Sequence, residues 1–596
     1  MADQPITKDI LVTFKIFAGG NEIPGSFRIT YIDVFRALNK ISYATIEFLD
    51  GGASDNSEYE VSKSGLLDPG NEVEVKVGYA SDEESVFKGI VTKHRLKITE
   101  RGSFKLQVEC KDIAVKMTVA RKNAIYNEKK DSAIIKELCS NHGLQVDVTE
   151  TETEHPELIQ HYVTDWDYAL MRADVNNLVV KNIDGKLTFA NPLGDNNAKL
   201  TIRFGSGFFS FDAEMDVKNQ YKEVNSYSWD FNEQELIEFN TKEATGTSQG
   251  KHESGKLSDV LGGESYLLQS GSSIPLSSLK SWGTSKLTKS RLSKIRGKMK
   301  IRGNARVLPD SVVELEGFSD TFDGDAYVSG VKHIVENGKW VTELTLGLSE
   351  AWYTQETANI EPPVAGGMGV GMHGLQIGVV KQVHEDPEGN YRIKVSIPTL
   401  QNDNIPVWAR LSNYYSSAGA GIFFLPELND EVILGFLNED PQFPVILGSV
   451  YSKKNEPRHT PTEENEIKSI LTKSQIEIQF NDKDKILTIN TPGGQKIILS
   501  DDEESLTIID EVNKNQVYLS SNGIEMSSEK DISIKAQGNI ALESGGDTTV
   551  KATGNVQAEG VNVELKGSAK FAAEGAQAEV KGSATTTIKG GIVQIN

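Results

Sequence analysis

The side chains able to do chemistry are scattered along this chain. Of nine histidines, His155 and His161 stand six apart, which fits neither an HExxH metal pair nor one helical face. His384-Glu385-Asp386 offers potential ion ligands, yet Pro387-Glu388-Gly389 follows at once, and the run reads as a solvated turn. Gly369-Val-Gly371-Met-His-Gly374 matches GxGxxG, but it follows Pro362-Pro363 and leads into a strand pattern. A dinucleotide site needs the glycines between a strand and a helix N-terminus. Cys110 and Cys139, the two cysteines, fall on strand and helix patterns as core positions, with no CxxC. No GxSxG elbow occurs, and nothing brings a nucleophile beside its base. The expectation is no enzyme, no catalytic residue, no cofactor and no metal.

Two further patterns concern binding. Lys280, Lys286, Lys289, Arg291, Lys294, Arg296, Lys298, Lys300 and Arg302 form a basic stretch in an acidic chain. It reads as a solvated helix face or as a surface for an acidic partner. Trp408, Tyr414, Tyr415, Phe423 and Phe424 offer stacking surfaces of the kind single-stranded nucleic acid uses. Lysine and arginine are sparse around them, and a formal net charge of −23 repels polyanions in general. No nucleic-acid partner is expected.

The elements follow from period and punctuation. Strand patterns occupy residues 10–14, 45–48, 73–77 and 106–108. Residues 131–142 have helical spacing, with Asp131 as N-cap and Gly143 as stop. A second helix starts at Thr164, and a strand pair turns at Asp184-Gly185. Residues 240–280, rich in Ser, Gly and Thr, read as a mobile loop or linker. Residues 287–295 read as a basic helix, and strands return over 303–348. After a Pro/Gly linker, five strands at 376–383, 391–396, 407–410, 421–425 and 431–436 suit a small closed barrel of OB type.

From Asp531 to Asn596 the chain repeats itself. Glycines at 538, 546, 554, 560, 567, 575, 582 and 590 separate short alternating segments. The inward apolar positions are Ile532, Ile534, Ile540, Leu542, Val550, Val561, Val563, Leu565, Val580 and Ile588. This reads as strand, tight corner, strand. One such strip buries too little apolar area to offset the entropy of ordering it. Three chains wound together give each face a shared core, so a trimeric β-prism is expected, with those ten residues as its core. Irregular strands at 476–480, 486–489, 506–508, 517–519 and 524–526 lead into it, with turns at Asn481-Asp482, Pro492-Gly493-Gly494 and Asn522-Gly523. At ~4.8 Å per step the whole would make a needle roughly 80 Å long.

At the barrel the chain resembles the VgrG spike proteins of contractile injection systems. The residues that carry this are Val407-Trp-Ala-Arg410, then 418–432 with Leu425-Pro426, then 436–451 with Asp440-Pro441, Pro444 and the closing Gly448-Ser-Val-Tyr451. The N-terminal part is similar to phage tail hub proteins at Gly89-Ile-Val91, Val108 to Asp112, Thr164 to Tyr168 and Phe322 to His333. The end, Ile588-Lys-Gly-Gly-Ile592-Val593-Gln-Ile595-Asn596, is similar to spike termini that seat a PAAR-type tip protein.

The resemblance implies a mainly β protein. Tail-hub β-barrels with a few helices fill 1–360, a linker 361–375, an OB barrel 376–455 and an intertwined trimeric β-helix spike 456–596. It implies a homotrimer that adapts a hexameric inner tube ring to a pointed tip within a baseplate and punctures a target membrane to deliver effectors. Ile588, Ile592, Val593, Ile595 and Asn596 would dock the tip. The chain ends within the repeat and leaves little room between barrel and prism, so no enzyme domain is expected. A trimeric fibre or adhesin for a host receptor is the alternative, disfavoured by a distal strip low in aromatics. A hydrolase would need a paired-carboxylate cleft that no spacing shows. The N-terminus lacks the basic and apolar regions of a signal peptide, and no apolar stretch approaches 18 residues. Synthesis in the cytoplasm is expected, with release in a type VI, extracellular phage-tail-like or prophage particle.

Overall fold

The computed structural model describes residues 11–51, 59–100, 104–263, 265–401 and 405–595. Ile10 and Asn596 lie outside the described residues. The chain divides into two compact units, one up to Val450 and one from Tyr451. Strands dominate both.

The first unit is organised by one strand order used twice. The first set is β1 (Val12–Ala18), β2 (Arg28–Ala37), β3 (Tyr43–Leu49), β4 (Glu72–Tyr79), β5 (Asp82–Ile98) and β6 (Phe104–Lys111). They pair in the order β2-β3-β6-β5-β4-β1. Their inward alternation buries Ile32, Ile46, Val75, Phe87 and Val108 in one core. Gly89 lies where β5 crosses β6 closely; a Cβ there would sit 2.3 Å from the Lys111 carbonyl oxygen.

An insertion follows. Helix α1 (Asp131–Ser140) stops at Gly143, whose φ of +70° suits glycine. Asp131 is not its N-cap, as the sequence predicted, but its first helical residue, and its carboxylate is engaged elsewhere. Helix α2 (Asp165–Val175) is capped by Thr164, whose Oγ1 accepts a 3.0 Å hydrogen bond from the Asp167 N–H. Ile134, Leu138, Trp166, Leu170 and Phe189 form the core of this insertion.

The second strand set is β7 (Ala198–Arg203), β8 (Phe208–Met215), β9 (Ile295–Arg302), β10 (Ser311–Glu316), β11 (Gly324–Glu336) and β12 (Lys339–Leu346). Its pairing order, β8-β9-β12-β11-β10-β7, repeats the first strand for strand. One difference is that β7 runs parallel to β10 whereas β1 runs antiparallel to β4. Antiparallel pairing of β2 with β11 joins the two sets.

Between β8 and β9 lies helix α3 (Leu276–Leu292), longer and earlier than the expected 287–295, with Ile295 already in strand. The basic stretch here is neither a solvated face nor a docking surface. Lys286, Lys289 and Lys294 are buried. Lys286 Nζ donates to the Glu350 carbonyl at 3.0 Å, and Lys294 Nζ to those of Gln249 and His252 at 2.6 and 3.0 Å. Lys289 Nζ pairs with the Asp174 carboxylate at 2.7 Å. Burial pushes the Lys286 and Lys294 ammonium groups down from their ordinary value. The expectation of a loose linker over 240–280 is corrected by the same contacts. A helix at Ser254–Val260 and a strand at Ser265–Ser270 form there, and Leu268 packs on Val224 and Leu287.

The barrel comprises β13 (Gln376–Gln382), β14 (Ile393–Ser396), β15 (Val407–Leu411), β16 (Glu431–Phe436) and β17 (Pro444–Ser449), closed in the order β13-β14-β15-β17-β16. Five strands were expected, but the fifth is β17 rather than 421–425. Leu425 packs on the core, while Phe423 and Phe424 turn to solvent and only Ala420-Gly421 pairs, with Ser416-Ser417.

The second unit opens with a seven-stranded antiparallel meander: β18 (Ile467–Leu471), β19 (Glu477–Asn481), β20 (Ile486–Asn490), β21 (Gln495–Ser500), β22 (Ser505–Asp510), β23 (Asn515–Ser520) and β24 (Gly523–Ser527). Its turns fall at the expected signals. These residues pair within one chain, so this stretch is a sheet of hairpins rather than the wound repeat expected from 456 onward. No strand is assigned among the described residues from 528 to 595. In an intertwined prism a strand takes its neighbours from other chains, so a lone chain leaves that backbone unpaired.

Removing Lys289 would strand the buried Asp174 charge. Lys289→Ala should cost about 3–5 kcal/mol, read as a lowered denaturant midpoint, whereas Lys298→Ala on the exposed edge should change it little.

Candidate functional site

The reactive groups are committed to structure. Asp131 Oδ1 accepts from Arg172 Nε at 2.5 Å, and Oδ2 accepts from Arg172 NH2 at 2.9 Å and Asn176 Nδ2 at 2.8 Å. His155 Nε2 lies 3.1 Å from the same oxygen. Burial alone would raise this carboxyl; the bonds from His155 and Arg172 outweigh it and hold it well below the usual carboxylate range. His161 is exposed and takes no part. Asp386 is clasped by Arg392 at 2.7 Å and by the N–H groups of Glu388, Asn390 and Arg392, so it closes its own loop. His384 lies 3.7 Å from Glu385 alone. Burial pushes the Cys110 and Cys139 thiols up to about 12, which leaves them protonated and unreactive. Gly369–Gly374 precedes β13 and no helix follows it.

Apolar surface is where this chain is unfinished. Cross-strand register in the meander aligns Ile470, Ile478, Ile489, Ile497, Ile508, Val517 and Met526 in one row across all seven strands. A second row, Phe480, Leu487, Leu499, Leu506, Leu519 and Ile524, lies two residues away and so on the same face. The row between them, Gln479, Thr488, Ile498, Thr507, Tyr518 and Glu525, faces the other way and is mostly polar. Within the second unit no layer covers the apolar face: Ile508 is 47% exposed, Leu499 44% and Met526 58%. A groove lined by Ile489, Ile497, Ile508, Val517 and Met526 runs along it and reaches Ile532.

The strip beyond it continues the theme. Ile532, Ile534, Ile540, Leu542, Val550, Val561, Val563, Leu565, Val580 and Ile588 are all more than half exposed. Of the expected tip-docking residues, Ile588, Ile592, Val593 and Ile595 are exposed, and Asn596 lies outside the described residues. The structure therefore brings none of these together within one chain. The meander rows were missed from sequence. Their signal was present, since the alternating apolar residues of successive hairpins have turns short enough to fix register.

A second exposed cluster stands on the barrel, where Tyr414, Tyr415, Phe423 and Phe424 occupy the loop between β15 and β16. Trp408 instead lies half-buried within β15, with Lys394 Nζ 5.5 Å from its ring centroid. Basic residues do not accompany the loop aromatics, which makes this an apolar contact surface rather than a nucleic-acid track.

Comparison with known proteins places these surfaces in context. Residues 8–337 match the family model described as the Alg8 N-terminal domain. Residues 376–451 match that of the type VI secretion system/phage-baseplate injector OB domain. A curated relative, the actin cross-linking toxin VgrG1 of Vibrio cholerae serotype O1, is 32% identical over 84 residues, 13% of this chain and 8% of that protein. This chain thus spans a small part of that relative's length. Among solved structures, the 43 kDa tail protein of prophage MuSo2 from Shewanella oneidensis has a TM-score of 0.43 at 11% identity, covering 57% of this chain and 99% of that one. The E. coli c3393 protein, described as a component of the type VI secretion system, has a TM-score of 0.37 at 12% identity, covering 73% of this chain and 100% of that one. The VgrG-type resemblance read from the sequence agrees with the OB-domain match and the VgrG1 relative.

The Asp131 cluster makes a pH prediction. Because the folded carboxyl is depressed, its contribution is present above the ordinary carboxylate pKa, about 4, and is lost as pH falls through the lower folded value. Amide exchange of helix 165–175 should therefore accelerate on acidification below pH 4, and Asp131→Asn should flatten that dependence.

Proposed function

The chain belongs to the family of the Alg8 N-terminal domain, matched over residues 8–337 of 596, and from that premise we propose that it is a non-enzymatic, homotrimeric hub and spike of a contractile injection system. The observation that carries this reading is the uncovered apolar face of the meander. A one-layer sheet with two apolar rows on one side is not a stable end state in water; it requires a second layer. No covering element is present in its own unit, so the cover comes from the same face of two further copies, closing a three-sided shaft around a shared core. The exposed strip over 531–595 continues that core as an interwound prism, in which each chain supplies strands to its neighbours. An assembly of this kind unfolds only when three chains separate together, which suits a part that is driven through an envelope.

The matched OB domain supports placement in an injector baseplate. In this reading the first unit meets the inner tube ring and baseplate, the apolar end at Ile588, Ile592, Val593, Ile595 and Asn596 seats a PAAR-type tip protein, and effectors travel with the particle. The protein is made in the cytoplasm and leaves the cell with the particle. An adhesin would put aromatic, variable loops at its far end, and Phe571 is the sole aromatic residue after Tyr518.

Light scattering at micromolar concentration should give the mass of three chains. Ile497→Glu with Ile508→Glu, at the centre of the apolar face, should convert this to the mass of one; an unchanged trimer would remove the meander from the interface. Deletion of residues 588–596 should leave the trimer intact and abolish capture of a PAAR-type tip protein in a pull-down.

A further inference from the structure

The duplicated strand order leaves one junction made and one unmade. Within the chain, β2 of the first set adds to the second half of β11, pairing Tyr31–Ala37 with Glu336–Gly330. In β11 this half begins after a bulge between Val328 and Gly330, where β10 ends. The counterpart of β11 in the first set is β5. It too has a bulge, between Val91 and Lys93, beyond which β4 ends. Past that bulge β5 pairs only with β6, and Arg95, Leu96, Lys97 and Ile98 are exposed. The counterpart of β2 is β8. Both are bulged at the matching place, between Ile29 and Tyr31 and between Phe208 and Ser210, and β8 pairs only with β9. Each chain therefore carries one open strand edge of each kind.

We propose that β8 of one protomer adds antiparallel to the second half of β5 of the next, repeating between chains the β2–β11 junction made within each. This rests on the trimeric reading above only for the number of chains that close the ring. Aligning the bulges transfers the register. Ala37–Gly330, Phe35–Lys332 and Asp33–Ile334 become Asp216–Lys93, Glu214–Arg95 and Asp212–Lys97. Val34–His333 and Ile32–Val335 become Ala213–Leu96 and Phe211–Ile98.

The transferred register was fixed by backbone irregularities alone, yet it sets three acidic residues opposite three basic ones and apolar beside apolar. Opposite charges facing across an antiparallel pair stabilise it, and a slip of one residue would set each charge against the other face. None of the six charged side chains has an ion-pair partner in its own chain among the described residues; the neighbours Lys298 and Arg296 are engaged by Glu343 and Glu350. The apolar members continue existing cores. Leu96 and Ile98 stand opposite Leu106 and Phe104, and Phe211 packs on the core of the second set. A head-to-tail contact between different patches closes into a ring.

Directly opposed residues in an antiparallel pair lie about 4.5–5.5 Å apart at Cα, within disulfide range. Full-length Arg95→Cys/Glu214→Cys, oxidised and run denatured without reductant, should move most of the protein into cross-linked dimer and trimer bands. Arg95→Cys/Met215→Cys, one residue out of register, should stay a single-chain band, as should each single substitution. A trimer by light scattering that fails to cross-link, or that cross-links only out of register, would overturn this junction and leave the trimeric reading standing. A single-chain mass would overturn both. As an independent arm, Lys97→Glu should weaken the cross-link in the cysteine pair and Lys97→Glu/Asp212→Lys should restore it; no restoration would count against the register.

Discussion

A β-sheet with one apolar face has to be covered, and this chain does not cover all of its own. In the first unit the requirement is met locally. Each six-strand set curls so that its inward residues meet, and the barrel closes on itself through β13 and β16. The meander cannot curl in that way. Its strands are only five or six residues long and its hairpins are tight, so the sheet grows sideways with two apolar rows kept on one side. Everything proposed for the protein, from subunit number to mechanical role, follows from that uncovered face.

The ionic ties in the first unit serve the same end at a different scale. The inner side of α3 carries lysines where apolar residues would be expected, and each ammonium finds a carbonyl or carboxylate. Buried charge of this kind adds little net stability but penalises any other arrangement. Here it fixes the helix between the two strand sets and pins the Ser- and Gly-rich segment around residue 250. The duplicated strand order then gives the unit two equivalent joints, of which one chain can make only one. A protein that repeats a domain within itself and leaves the terminal edges open is suited to ring assembly.

The sequence by itself determined the elements that depend on short-range pattern. These are the helices after Thr164 and near Asp131, the turns at Pro492-Gly493-Gly494 and Asn522-Gly523, the inventory of barrel strands save one, and the excess of apolar residues in the C-terminal strip. Alternation, caps and glycine positions act over a few residues and need no distant partner. The tertiary structure alone decided where long side chains go and which strands meet. Lys286, Lys289 and Lys294 read as solvated because charge normally seeks water, but their partners lie on remote segments at Asp174, Gln249, His252 and Glu350. Residues 421–425 read as a strand by composition, yet closure of the barrel required the edge supplied by β17. The apolar rows of the meander and the matching bulges of β2, β5, β8 and β11 belong to register. Register is a relation between strands, and it becomes visible only once the backbone hydrogen bonds are formed.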